Sequence, residues 1–266
     1  DHIFRGFKFV GNHPTDILDA GIWATAKAYT AGQQTLVESA SGGNGRYWLC
    51  LVNHTSTTFS SDRTAGYWQD LGSDRVFRIG LSNNLLIGGG SIERSSGYAI
   101  TVSSVANFVL RDFVGFGTNK RSSPGGYLAI SGGYNKLLLD NVTVHSTSQP
   151  LMSTQSGNEY GVSYGTTMIN CTIKGGNSGF TQHWNEDGAV YINCQFDGGV
   201  SSATGGAAFD IRTPSKLINC SVINSPGRAI VLRSNFGGFG RNDGSKGTVI
   251  SGFQAHNCLT GIQLDD

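Results

Sequence analysis

The clearest regularity along the chain is a six-residue frame. Its first position is apolar, its third is Asn, Asp or Gly, its fourth and sixth are mostly apolar, and its fifth is mostly polar. The copies are Ile87-Gly-Gly-Gly-Ser-Ile92, Leu110-Arg-Asp-Phe-Val-Gly115, Leu139-Asp-Asn-Val-Thr-Val144, Met168-Ile-Asn-Cys-Thr-Ile173, Tyr191-Ile-Asn-Cys-Gln-Phe196, Leu217-Ile-Asn-Cys-Ser-Val222 and Ile250-Ser-Gly-Phe-Gln-Ala255. These seven begin 23 to 33 residues apart. A constant frame at variable spacing means that one core geometry repeats while the connecting loops vary in length. Asn, Asp and Gly are the residues that enter the left-handed backbone region at least cost, so the third position predicts a bend between two short strands. Alternation then turns the apolar residues beside the bend inward. Asn141, Asn170, Asn193 and Asn219 are expected to stack as a ladder, buried by hydrogen bonds to one another. Three of them, Asn141, Asn170 and Asn219, also begin N-glycosylation sequons, and burial in a ladder argues against that use.

A further strand is expected upstream of each frame: Tyr98–Val102, Leu128–Ile130, Gly161–Tyr164, Phe180–His183, Phe209–Arg212, Ile230–Arg233 and Ile262–Leu264. Frame and upstream strand together resemble the pectate-lyase-like β-helices, over roughly residues 73–266. That resemblance implies an all-β fold, a right-handed parallel β-helix (a single-stranded solenoid), whose first strands floor a substrate groove. The last strand stops at Asp266 without a capping element, so the natural protein is expected to continue. Likewise the chain begins at Asp1 rather than Met, as a fragment or processed product does.

Residues 21–72 carry a different pattern, with Trp23, Tyr29, Gly45-Arg-Tyr-Trp-Leu-Cys-Leu-Val-Asn-His-Thr55, Phe59 and Gly66-Tyr-Trp68. Short strands with paired aromatics predict a small β-module. It resembles the chitin-binding-like modules of bacteriophage tail proteins, which implies a sugar stacked on an exposed Trp23 or Trp68. The competing reading is that so small a module needs its aromatics inside. Residues 1–20 read as a connector.

Composition narrows the partners. Charged residues are 14% of the chain and the formal net charge is +1, which argues against a nucleic-acid partner. No apolar run reaches membrane-spanning length. The 5 cysteines include three in the same Ile-Asn-Cys context, at Cys171, Cys194 and Cys220, which predicts buried thiols in one column and folding in a reducing compartment such as a bacterial cytoplasm. The six histidines are scattered and no Asp cluster resembles a calcium site, so neither a metal nor a cofactor is expected.

An aromatic module followed by a β-helix resembles a phage tailspike or tail fibre. That resemblance implies a homotrimer in the virion tail, joined to other tail or baseplate proteins, which binds and in many cases depolymerises capsule or O-antigen. Hydrolysis needs a protonated and an ionised carboxyl, and elimination needs a base near a uronic acid. Aligning the upstream strands gives an outward column of Thr101, Ala129, Ser163, Thr181, Asp210, Val231 and Gln263. Two residues on lie Ser103, Ser131, Gly165, His183, Arg212, Arg233 and Asp265. Trp184, Glu186 and Asp187 follow His183 directly. The expected catalytic residues are therefore Asp187, Asp210 and Glu186, with Asp187 and Asp210 as the acid pair of a glycoside hydrolase. His183, Trp184, Arg212 and Arg233 are expected to hold the glycan. The plain alternative is a set of cross-strand ion pairs. A non-catalytic receptor-binding or adaptor segment, and a secreted polysaccharide lyase or epimerase, are the competing functions.

Overall fold

A computed structural model describes residues 2–10, 19–37, 41–42, 46–73, 77–95, 100–117, 128–131, 136–146, 152–155, 163–175, 179–182, 186–198, 206–233 and 245–265. The protein is predominantly β, and most of its strands lie in parallel ladders. Each frame contributes to two of them. Strands ahead of the bend pair in the order Leu85–Gly88, Asn107–Arg111, Lys136–Asp140, Thr166–Ile169, Val190–Ile192, Lys216–Ile218 and Val249–Ser251. Strands after the bend pair in the same order, through Thr143–His145, Thr172–Lys174, Gln195–Asp197, Ser221–Ile223 and Gln254–His256. The upstream strands form the remaining ladder.

Every third position of the frame has a left-handed backbone. Asp112, Asn141, Asn170, Asn193 and Asn219 have φ between 50° and 54°, and Gly89 and Gly252 have φ of 62° and 63°. The frame's first, fourth and sixth residues face a common interior. Ile87, Leu110, Leu139, Tyr191 and Leu217 are fully buried there with the thiols of Cys171, Cys194 and Cys220. All five cysteines are free. Each column thiol donates to main-chain carbonyls, as Cys194 does to Met168 and Ile192 at 3.4 and 3.6 Å. The bond with the Cys171 thiol, joined by burial, pushes the Cys194 thiol far above its ordinary range. Its bond with Cys194 does the same to Cys220.

Three expectations need correction. The ladder asparagines are exposed rather than buried, because a residue in the left-handed region at the corner points its side chain outward. Their amides still link neighbours: Asn141 donates to Asp112 at 2.9 Å and Asn193 to Asn170 at 3.2 Å. A second corner carries its own chain of amides, in which Asn257 donates to Asn224 at 2.9 Å and Asn224 to Asp197 at 3.2 Å. Secondly, residues 2–10 are no connector. His2–Arg5 pairs parallel with Leu85–Gly88, and Lys8–Val10 pairs with Ser91–Glu93, held by a 2.8 Å ion pair from Lys8 to Glu93. Phe4-Arg-Gly-Phe-Lys-Phe9 is thus an eighth copy of the frame, with Gly6 at φ 61° on its bend. Thirdly, the upstream strand in the middle of the chain is Met152–Gln155, not Gly161–Tyr164. Ser153 takes the place in the column expected of Ser163, between Ala129 and Thr181. Ser163 and Gly165 instead lie in the strand Ser163–Ile169, which leads into a frame.

The aromatic module lies between the first and second frames, and its aromatics pack inside, the second of the two readings of its sequence. Its strands Asp19–Ile22, Gln34–Val37, Arg46–Cys50 and Trp68–Ser73 form one sheet, and Ala28–Tyr29 pairs with His54–Thr55. Thr58 caps the short helix Phe59–Thr64 by accepting from the Ser61 amide. Trp23, Trp48 and Trp68 pack around Phe59 at ring distances of 5.9, 5.0 and 6.2 Å. All three indoles are buried, as are Tyr29 and Phe59. Neither Trp23 nor Trp68 therefore offers an exposed face to a sugar. The module needs them as its core, because it has few other large apolar side chains.

Candidate functional site

The candidate site is built on three successive upstream strands: Ala207–Ile211, Arg228–Arg233 and Thr260–Asp265. Phe209 and Ile211 alternate into the core, so Asp210 and Arg212 point to the opposite side. Register then sets Val231 beside Asp210, Gln263 beside Val231, and Asp265 beside Arg233. Neighbouring strands are about 4.8 Å apart, which brings the charged ends of all four ionisable residues together.

Asp210 is the centre of this cluster. Arg212 donates to it from Nε at 3.3 Å and Nη2 at 2.8 Å. Arg233 donates from Nε at 2.7 Å and Nη2 at 3.2 Å. Two guanidinium forks thus occupy both carboxylate oxygens, the geometry that gives the strongest charge-assisted bonds. Arg233 reaches on with Nη1 to Asp265 at 2.7 Å, and Gln263 donates to the other Asp265 oxygen at 2.7 Å. Charges alternate in sign along the column, and the Asp210 side chain is only 11% exposed.

Burial alone would raise the Asp210 pKa, but the hydrogen bonds and charges of Arg212 and Arg233 outweigh it and hold the carboxyl below its usual range. The Arg233 guanidinium is correspondingly held more firmly charged by its bond to Asp210. A general acid of a glycosidase needs the opposite shift and a carboxyl oxygen free to carry its proton toward the sugar. Asp210 has neither, so the arrangement suits an ion-pair node that ties three strands together rather than a proton donor.

The other expected residues fall as follows. His183 and Trp184 lie outside the described residues. The backbones of Glu186 and Asp187 open the strand Glu186–Ile192, where they pair with Ser163 and Tyr164. Asp187 and Asp210 therefore belong to different ladders, since Asp210 pairs with Thr181 and Val231. The expectation set Glu186 and Asp187 at the edge of the patch, just after His183, whereas they begin the next strand. Gln263 was not among the expected site residues, although its place in the aligned column was legible. Among the described residues, no three His, Cys, Asp or Glu side chains gather where a metal ion could be held. No protein-family model, no curated protein and no solved structure matches this chain.

Proposed function

We propose that this chain is a right-handed parallel β-helix of the phage-tailspike kind, and that it engages a bacterial surface polysaccharide. The observation that carries the reading is the succession of parallel ladders that links His2–Arg5 at one end to Thr260–Asp265 at the other. Strand-to-strand connections between parallel neighbours are almost always right-handed, which supports the hand. A ladder of this length presents side chains at intervals of about 4.8 Å, close to the rise of one sugar unit, so a glycan chain can follow a column. The aromatic module between the first two frames agrees with the resemblance to tail proteins, though as a packed domain rather than as a stacking platform.

Within this proposal Asp210, Arg212, Arg233 and Asp265 hold the wall of the site, and the proton donor of any hydrolysis is one of Glu186 and Asp187, which as consecutive strand residues face opposite sides. A non-catalytic receptor-binding role is the second reading. The doubly clamped Asp210 favours it, because a carboxylate held ionised with both oxygens engaged cannot be the proton donor of the expected acid pair.

The test is incubation of the protein with candidate capsules and O-antigens, followed by sizing of the glycan. Released oligosaccharides support depolymerisation, and co-migration of intact glycan with the protein supports binding alone. Neither outcome with any glycan of the host would overturn the proposal. Ultraviolet absorbance of an unsaturated uronide among the products would mark a lyase instead of a hydrolase.

A further inference from the structure

One column on the outer face of the ladder ahead of the bends carries charge that is left unbalanced. Register sets Arg5 beside Gly88, Gly88 beside Arg111, and Arg111 beside Asp140. Ile87 and Leu110, the residues before Gly88 and Arg111, face the core, so alternation turns this column outward. Arg5 and Arg111 are both exposed, and among the described residues neither is in an ion pair.

Arg111 has a carboxylate neighbour on one side and does not turn to it. Its side chain lies the other way, across Gly88: a Cβ built on Gly88 would stand 3.4 Å from the Arg111 Cγ and 3.7 Å from its Nε. The guanidinium is thereby carried toward Arg5, whose backbone is two strand intervals away, about 9.6 Å. The corner beside these two arginines is equally bare. Where the next five frames have Asp112 or an asparagine, the first two have Gly6 and Gly89, both exposed. A Cβ on Gly6 would meet nothing within 4 Å, and one on Gly89 only the Gly6 amide nitrogen. Asp112, the nearest corner carboxylate, is engaged by the Asn141 amide at 2.9 Å. Two guanidinium groups brought toward each other repel, and an anion between them turns that repulsion into attraction.

We propose that Arg5 and Arg111 form an oxyanion site, in which a carboxylate or phosphate group of a ligand is held between two guanidinium forks above Gly88. Both groups present paired oxygens that match the planar fork. The bare corner at Gly6 and Gly89 leaves room for the rest of the ligand. Asp140, on the far side of Arg111, repels a second anion and limits the site to one group. The site lies on a different ladder from the Asp210 cluster, and it stands without the glycan reading.

The test follows the backbone amide resonances of Gly6, Gly88 and Gly89 while the full chain is titrated with inorganic phosphate, with glucuronate and with neutral glucose. Saturable shifts are expected with one or both anions and none with glucose, and the tighter anion tells phosphate from carboxylate. Arg5→Gln and Arg111→Gln should each weaken binding about tenfold or more, the loss of one charge-assisted bond, at an unchanged melting temperature. Lys216→Gln removes an exposed cation from the same ladder and should leave the affinity as it was. The proposal is overturned by a wild type that gives no saturable shift with either anion, or by glucose shifting the same amides equally. Wild-type affinity in both arginine variants, or an equal loss in Lys216→Gln, overturns it as well.

Discussion

An aspartate gripped by two arginines is both held ionised by them and needed by them. Asp210→Asn keeps the shape and removes the charge, leaving Arg212 and Arg233 short of an anion in a site that is mostly buried. Breaking one partner of a buried charge cluster costs about 3 kcal/mol, so a loss of that order is expected in denaturant titration. The pH dependence has a definite sign. Because the folded pKa of Asp210 lies below the unfolded value, its contribution is complete above about pH 4 and is lost as pH falls through the lowered folded value. The wild type should therefore lose more stability on acidification below that point than Asp210→Asn does. At the corners, the cost of changing an asparagine comes from the backbone and not from a buried partner. Asn193 has φ 52°, so Asn193→Ala should cost about 1–2 kcal/mol and Asn193→Gly distinctly less. Equal losses for alanine and glycine would mean that the 3.2 Å bond to Asn170, which both substitutions remove, dominates over the backbone. The bends were legible in the sequence because few residue types accept a left-handed φ. The ion pairs of Asp210, Arg212, Arg233 and Asp265 were legible as the plain alternative, but the double clamp on Asp210 was not, because sequence spacing does not specify which way two arginine side chains turn.

Strands differ in how plainly the sequence announces them. The Ile-Asn-Cys strands repeat nearly word for word, and their placement followed from that alone. Gly161–Tyr164 and Met152–Gln155 both alternate acceptably, and only pairing with the strands on either side decides between them: Met152 stands against Leu128 and Phe180. The Phe4–Phe9 frame was hidden for another reason, since the whole aromatic module separates it from its nearest relative in the sequence. The cysteine column makes an element-scale prediction. Cys171, Cys194 and Cys220 are buried, and Cys194 and Cys220 are held in the unreactive thiol form, whereas Cys258 is partly exposed. A water-soluble thiol reagent should modify Cys258 first in the native protein. The three column thiols should react only at the rate of unfolding. Rapid native labelling of Cys194 would contradict this packing.

At the scale of the whole molecule, the aromatic module and the parallel ladders have separate cores: one gathers around Phe59, the other runs from Leu85 to Ile230. That division was legible from the change of pattern near residue 73, but the return of residues 2–10 to the ladders was not, because it is a pairing across the module. The consequence lies in the order of synthesis. His2–Arg5 leaves the ribosome before its partner Leu85–Gly88, which follows about eighty residues later. Until then its hydrogen-bonding edge has no strand to join, and only later contacts can recruit it, as loop closure over such a span is slow. A strand made before the module is thus zipped onto Leu85–Gly88 only after the module has been made. Amide exchange should find His2–Arg5 and Lys8–Val10 less protected than Tyr191–Ile192 or Leu217–Ile218, and protection of those two strands should appear late when refolding is followed by pulsed labelling.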